Sequence, residues 1–312
     1  MIIGYSKNPF RQFAGVLYNN RRGFLFFTIC ALIPCVLNVE LGLKQISLPG
    51  MPVTLLGGAL AIFLGFRNSS AYDRWWEARK VWGEIVNNSR MFGVQVLTYS
   101  DSKEKDKVEL EKWRKEIIYR HIAWVNALKL ALRRQLHNVK RNPWLTSDDK
   151  KQLKSKSNIP AQILAIQGQQ IKYAFDHKWI EDFRQYELMH SIQNFYDSEG
   201  KCERIKNTVF PFYFNYFTRI FLWIFVICLP FALVDIMGWM SIPMSIAISF
   251  VFTILDKSGL LTEEPFRGIA ADTPLDTIAR GIEIDLREMI NDEDIPGPIP
   301  VTIGRFGVRY RK

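Results

Sequence analysis

Four apolar blocks, separated by segments that carry nearly all of the charge, constrain this 312-residue chain more than any other feature. The first, FLFFTICALIPCVLNVELGL, runs from Phe24 to Leu43 between Arg21-Arg22 and Lys44. About 20 residues rising 1.5 Å each span a hydrocarbon layer of about 30 Å. The second, MPVTLLGGALAIFLGF from Met51 to Phe66, is short for a span unless its helix continues past Arg67. The third, Phe210 to Val234, carries Arg219 inside an aromatic run, and the fourth runs from Ile236 to Leu255 around Pro243. Pro34 predicts a kink in the first block. No small-residue cleavage site follows that block, so it reads as a span rather than a removable signal.

The charge pattern gives an orientation. Of 41 Lys+Arg, 27 fall between Arg67 and Asn207, both termini are basic, and the Lys44–Gly50 loop and the turn near Asp235 are almost free of basic residues. Basic segments stay on the cytoplasmic side, which predicts cytoplasmic termini, a large cytoplasmic middle and two small outward turns in an inner (plasma) membrane. The net charge of +10 is then topology rather than a nucleic-acid footprint, and no nucleic-acid-binding module is recognisable.

Outside the blocks the pattern is helical. No proline occurs from Val53 to Tyr99, which predicts one helix of about 45 residues leaving the membrane and projecting about 68 Å. Apolar spacing predicts a helix over Val108–Leu136 and another starting at Pro160 and breaking at Gly200; Asn142–Ile159 reads as a polar linker, and a last helix is expected near Leu275–Ile290. No strand-like alternation is sustained. The expectation is an all-α membrane protein with four transmembrane helices and a large helical cytoplasmic region. It divides into 1–66 (N-terminal segment and first two spans), 67–209 (cytoplasmic helices), 210–255 (last two spans) and 256–312 (cytoplasmic C-terminal segment).

Enzyme signatures such as HExxH, GxSxG, Walker A and GxGxxG are absent, and no catalytic residue or cofactor is expected. The four histidines lack ligand spacing, and the four cysteines form no CxxC pair. Glu263, Glu264, Asp272 and Asp276 could contribute oxygens to calcium, but they lack EF-hand spacing and no metal is assigned. Gly57, Ala61 and Gly65 make a small-residue stripe that lets helices approach closely. This is explained either by packing within one subunit or by packing around a shared axis. The adjacent stripe, Gly58, Ile62 and Phe66, would then face that axis, where apolar rings exclude ions by dewetting. Arg67, Arg74, Trp75 and Trp76, with Trp82 beyond, are either an interfacial belt or an electropositive vestibule. Arg219 is costly in lipid and is a functional candidate unless it snorkels or pairs with a carboxylate.

The stretch LAIFLGFRNSSAYDRWWEARKVWGEIVNNSR, Leu60 to Arg90, resembles the signature of the bestrophin family in its prokaryotic branch. Cys202-Glu203-Arg204-Ile205, Leu229-Pro230-Phe231, Glu264-Pro265-Phe266 and Pro274-Leu275-Asp276 agree with it. The resemblance implies a homopentameric ion channel of all-α subunits in a lipid bilayer, whose second membrane helix lines a neck of three apolar rings. Matched to the motif, those rings are Gly58, Ile62 and Phe66. Counting back from the Cys-Glu-Arg-Ile match implies a cytoplasmic constriction at Tyr186, with Glu187 beside it. Gly58 stands where a larger apolar residue is usual, Lys201 and Arg267 stand where glycines are common, and GIAADT from Gly268 replaces the aspartate run of animal members, so calcium gating does not carry over. Animal members conduct chloride while the bacterial branch includes cation channels. A small monovalent anion is narrowly favoured, with a sodium channel of the same architecture as the alternative. A secondary transporter, which would show inverted repeats, and a membrane-anchored scaffold are the remoter readings.

Overall fold

The structure, a computed structural model, describes residues 2–4, 9–208, 212–304 and 308–311. It is built almost entirely of helices. In chain order these are α1 (Pro9–Asn19), α2 (Arg21–Cys35), α3 (Gly50–Tyr99), α4 (Lys107–Leu132), α5 (Ser147–Leu153), α6 (Ile159–Asp176), α7 (Asp182–Asn207), α8 (Phe212–Met237), α9 (Ser241–Thr262) and α10 (Leu275–Met289).

Among the described residues, three helical stretches are long and apolar enough to cross a membrane: Arg21–Glu40, Lys44–Tyr99 and Phe214–Thr262. The last of these folds back on itself at Gly238–Met240, between α8 and α9. The sequence expectation put this turn near Asp235. Gly238 fixes it instead, because its φ of +51° is accessible to glycine at little cost. The expected start of the third block at Phe210 lies outside the described residues. Pro34 sits inside α2, and a π-turn follows over Val36–Glu40, in which Leu41 N–H reaches Val36 O at 3.2 Å.

Phe27, Val53, Leu60, Leu64, Leu222, Phe225, Val226 and Leu229 form one core between α2, the first half of α3, and α8. At its far end, Asn38 Nδ2 donates to Asp235 Oδ1 at 2.7 Å and Leu48 N–H donates to Phe231 O at 3.1 Å, tying the α2–α3 connection to the last turns of α8.

α3 is continuous for 50 residues, so the short second block is the first third of one helix that enters a second, larger core. There Trp82, Ile85 and Phe92 of α3 pack with Ile117, Ile118 and Trp124 of α4, Phe195 of α7, and Ile282 and Leu286 of α10. Gly93 allows this close contact, since a Cβ there would lie 2.8 Å from Leu286 Cδ2 and Met289 Sδ and would force those side chains to shift. α7 runs antiparallel along α3: Arg204 pairs with Glu77 at 2.6 Å, Lys201 with Glu84 at 2.9 Å, and Ser191 Oγ donates to Gln95 at 2.6 Å.

Two expectations need correction. α7 passes through Gly200 without breaking; a helical glycine costs only about 1 kcal/mol relative to alanine, and burial of Phe195 before it and of Cys202 and Ile205 after it outweighs that. The polar linker contains α5, started by a capping box in which Thr146 Oγ1 accepts from Asp149 N–H and Asp149 accepts from Thr146 N–H, both at 3.1 Å. The fold is all-helical as expected, with one small addition at the termini. β1 (Ile2–Gly4), β2 (Thr302–Ile303) and β3 (Arg309–Tyr310) form a small antiparallel sheet, ordered β1-β3-β2, that joins the N-terminus to the C-terminal tail. Strands of two or three residues are too short to show alternation.

Candidate pore-lining helix

The membrane half of α3 has two distinct faces. Val53, Gly57, Leu60, Leu64, Arg67 and Ala71 recur at steps of four and three and are buried. This is the spacing of a helical face pressed on its neighbours. Gly57 is the tightest point: a Cβ there would lie 2.8 Å from Phe225 Cε2. The opposite face carries Leu55, Gly58, Ile62 and Phe66, which at 100° per residue fall within an arc of about 80°. Ile62 is 62% and Phe66 67% exposed. The expected small-residue stripe is therefore divided. Gly57 packs inside the subunit, while Ala61 and Gly65 are exposed beside the Ile62–Phe66 face, with open space around Gly65.

Immediately after Phe66 the helix is clamped to α9. Arg67 is 2% exposed; its Nη1 donates to Asp256 Oδ1 at 2.8 Å and its Nη2 to Asp256 O at 2.5 Å. Asn68 Nδ2 reaches Leu255 O at 3.1 Å. Gly259 permits this approach, because a Cβ there would lie 2.3 Å from Asn68 Oδ1. Farther on, Arg74 Nη2 donates to Ile205 O and Trp75 Nε1 to Ala271 O at 3.1 Å. Trp76 is exposed and stacks on Tyr72, with rings 5° from parallel. The vestibule expectation changes accordingly. Arg67 is neutralised inside the subunit, Arg74 and Trp75 bind backbone carbonyls, and Trp82 is core. Of the expected group only Trp76 stands on the open surface.

Two residues absent from the sequence-based list emerge on the exposed face. Asp73 and Lys80 follow Phe66 at successive seven-residue steps, and both are exposed. Counting heptads onward from Phe66 would have found them.

Tyr186 and Glu187 are also exposed, in the early turns of α7, with Tyr186 69% accessible. Nearby Arg184 Nη1 donates to Tyr99 O at 3.3 Å, which puts this part of α7 beside the far end of α3. Phe66 and Tyr99 are 33 positions apart, or about 50 Å of helix.

The four carboxylates considered for calcium diverge. Glu263 accepts from Asn215, and Glu264 pairs with Arg267 at 2.9 Å. Asp272 accepts from Gly268 and Ile269 N–H at 2.5 and 3.1 Å, and Asp276 pairs with Arg133 at 2.8 Å and Lys129 at 3.1 Å. Burial opposes ionisation of Asp276, but Lys129 and Arg133 hold its carboxyl below the usual range. Arg219 is exposed on α8, with no carboxylate partner among the described residues.

A buried polar cluster lies deeper. His121 Nε2 is 2.9 Å from Ser89 Oγ, and its ring is packed by Phe92, Trp124 and Phe195. Burial pushes its pKa down to about 3. Glu199 accepts from Trp124 Nε1 at 3.0 Å. Burial pushes its carboxyl up to about 7; the Trp124 bond opposes this and the charge of Glu203 adds to it.

A profile of the bacterial and fungal bestrophin proteins matches residues 16–288. The voltage-dependent anion channel-forming protein YneE of Escherichia coli (strain K12) is 34% identical over 250 residues, 80% of this chain and 79% of that protein. The voltage-dependent anion channel-forming protein alr2987 of Nostoc sp. is 27% identical, over 83% of this chain and 84% of that one. Among solved structures, a bacterial bestrophin homolog from Klebsiella pneumoniae superposes with a TM-score of 0.78 at 26% identity, covering 87% of this chain and 98% of the other.

Proposed function

The chain belongs to the bacterial and fungal bestrophin family, and on that premise we propose that it is a passive anion channel of the plasma membrane. Five copies surround one pore, each with four membrane-spanning segments (α2, the first third of α3, α8 and α9) and cytoplasmic termini. The observation that carries this reading is the exposed apolar face of α3, Ile62 and Phe66 above all, on a helix whose opposite face is fully packed and whose position is locked by Arg67 and Asp256. A large apolar face left open on a rigid, clamped helix requires a cover. With Ala61 and Gly65 beside it, close approach of neighbouring copies is sterically open. Such an assembly directs Gly58, Ile62 and Phe66 inward as a neck that ions cross partly dehydrated, and the apolar rings gate by dewetting. The anion assignment draws on the relatives named as anion channel-forming proteins.

One observation favours the second reading, a monovalent cation channel. Asp73 is exposed one heptad beyond Phe66, and five copies would place a ring of carboxylates beneath the neck, opposed by Lys80 a further heptad on.

Purified protein in planar bilayers under a chloride gradient tests both. A reversal potential near that of chloride supports the anion channel, and one near that of the cation transfers the assignment to sodium. Absence of any conductance, in the native protein and in an Ile62→Ala plus Phe66→Ala variant alike, refutes the channel. A subunit-sized mass in detergent refutes the shared pore.

A further inference from the structure

At the start of α2 a cavity of about 340 Å³ opens between the α1–α2 corner and the end of α9. Arg21 and Arg22 reach it from α2, Lys257 from α9, and Tyr18 and Asn20 from the corner. The three cations have no carboxylate partner among the described residues. This sets them apart from Arg67, Arg90, Arg120, Arg133, Arg204 and Arg287, each paired with an acid. The nearest acid in sequence, Asp256, is already committed to Arg67. What holds the cations is neutral: Lys257 Nζ donates to Asn20 Oδ1, the Arg21 guanidinium lies 4.5 Å over the Tyr18 ring, and Asn20 Nδ2 is turned away to Val16 O at 2.7 Å.

The position of the cavity defines what would fill it. The apolar run of α2 begins at Phe24, so Arg21 and Arg22 lie one short step from the hydrocarbon, at the depth of lipid phosphates. α1 supplies a second, independent indication. Phe10 is 82% and Phe13 59% exposed, with Val16 also open, the composition of a helix that lies in the membrane surface. A basic cavity at this depth, beside a surface-lying helix, matches recognition of anionic headgroups.

We propose that this cavity binds the phosphate of an anionic phospholipid, with Arg21, Arg22 and Lys257 as its ligands and Tyr18 shielding one side. The inference rests on the membrane reading but not on conduction. Because Lys257 belongs to α9, next to the Asp256 that clamps the pore helix, occupancy would tie α2, α9 and α3 into one unit.

The test is native mass spectrometry and thermal unfolding of delipidated protein titrated with phosphatidylglycerol, phosphatidylcholine or inorganic phosphate. Phosphatidylglycerol alone is expected to be retained and to raise the unfolding temperature. Replacing all three cations by glutamine (R21Q, R22Q, K257Q) is expected to weaken retention about tenfold or more, while the charge-preserving pair R21K and R22K retains the lipid, which separates lost charge from a folding defect. Equal retention of phosphatidylcholine, an equal effect of inorganic phosphate, or unchanged binding by the glutamine variant would overturn the site. None of these readouts uses conductance, so a failed channel and a failed lipid site are distinguishable.

Discussion

Arg67 and Asp256 lie 189 positions apart and meet at 2.8 Å with both side chains almost fully buried, joining α3 to α9 one residue after Phe66. A buried ion pair contributes little net stability against a well-packed apolar pair, but removing one partner strands a charge and costs about 3–5 kcal/mol. Arg67→Met and Asp256→Leu are each expected to lower the unfolding temperature in detergent sharply. The double variant should be more stable than either single one. Additive losses would show that the two residues act separately.

The two glycines of the expected stripe should separate fold from assembly. Gly57→Ala sets a methyl against the Phe225 ring, and overpacking of this kind costs about 1–3 kcal/mol, read as a lower unfolding temperature of the subunit. A Cβ at Gly65 meets nothing within 4 Å in the subunit and the position is exposed, so helix content and subunit stability should persist in Gly65→Leu. If neighbouring copies pack there, the same variant is expected to shift the mass in detergent toward smaller species. An unchanged mass would remove Gly65 from the interface.

Much of this was readable from the chain. The proline-free run from Val53 to Tyr99 announced α3, and period alone separated Ile62 and Phe66 from the Gly57 face. Other features depended on remote partners. Arg67 reads as a vestibule cation until Asp256, from the far end of α9, is brought to it; nothing near residue 67 announces the pair. Gly200 reads as a helix stop because local propensity is the only term visible, whereas burial of Phe195, Cys202 and Ile205 in the larger core holds the helix on both sides of it. The α5 capping box was present as Thr146 and Asp149, but lysine-rich surroundings obscured it. Period assigns Ile62 and Phe66 to a face and carries no information on whether lipid or another copy covers it.

Buried Glu199 and His121 give the larger core opposite pH dependences. The carboxyl of Glu199 rises from 4.5 to about 7 on folding, so the folded state binds its proton more tightly. That stabilisation is complete below about pH 4.5 and is lost as pH rises through 7, an effect on the order of 3 kcal/mol. His121 falls from 6.5 to about 3, so the unfolded state binds the proton more tightly and stability is lost as pH drops below 6.5. Between about pH 4.5 and 6.5 the two slopes cancel. Glu199→Gln is expected to abolish the loss between pH 6 and 8 while preserving the acid limb, as read from denaturation midpoints. Parallel pH curves for the variant and native protein would exclude Glu199 as the source.

Calcium should be without effect. Each of Glu263, Glu264, Asp272 and Asp276 is engaged by a separate partner, and binding one ion through several of them would require breaking the Asp276 pairs with Arg133 and Lys129. Six to eight oxygens are needed, and among the described residues no group of three or more His, Cys, Asp or Glu is arranged to hold a metal. Unfolding temperature and conductance are expected to match in millimolar calcium and in chelator. A calcium-dependent rise in either would place a site outside these four residues.

The two proposed constrictions, at Phe66 and at Tyr186, are separated by about 50 Å of α3, so side chains at one cannot touch those at the other. Two narrow regions in series add as resistances, and the tighter one conceals the other. If the Ile62–Phe66 neck is the tighter, Tyr186→Ala alone should change the single-channel current little, and Phe66→Ala alone should raise it. In a Phe66→Ala background the remaining resistance shifts toward Tyr186, so adding Tyr186→Ala should then produce a clear further increase. An equal proportional effect of Tyr186→Ala in both backgrounds contradicts a series path. No effect in either background takes Tyr186 off the path and leaves Glu187 or the neighbouring exposed Phe183 as the residue to examine.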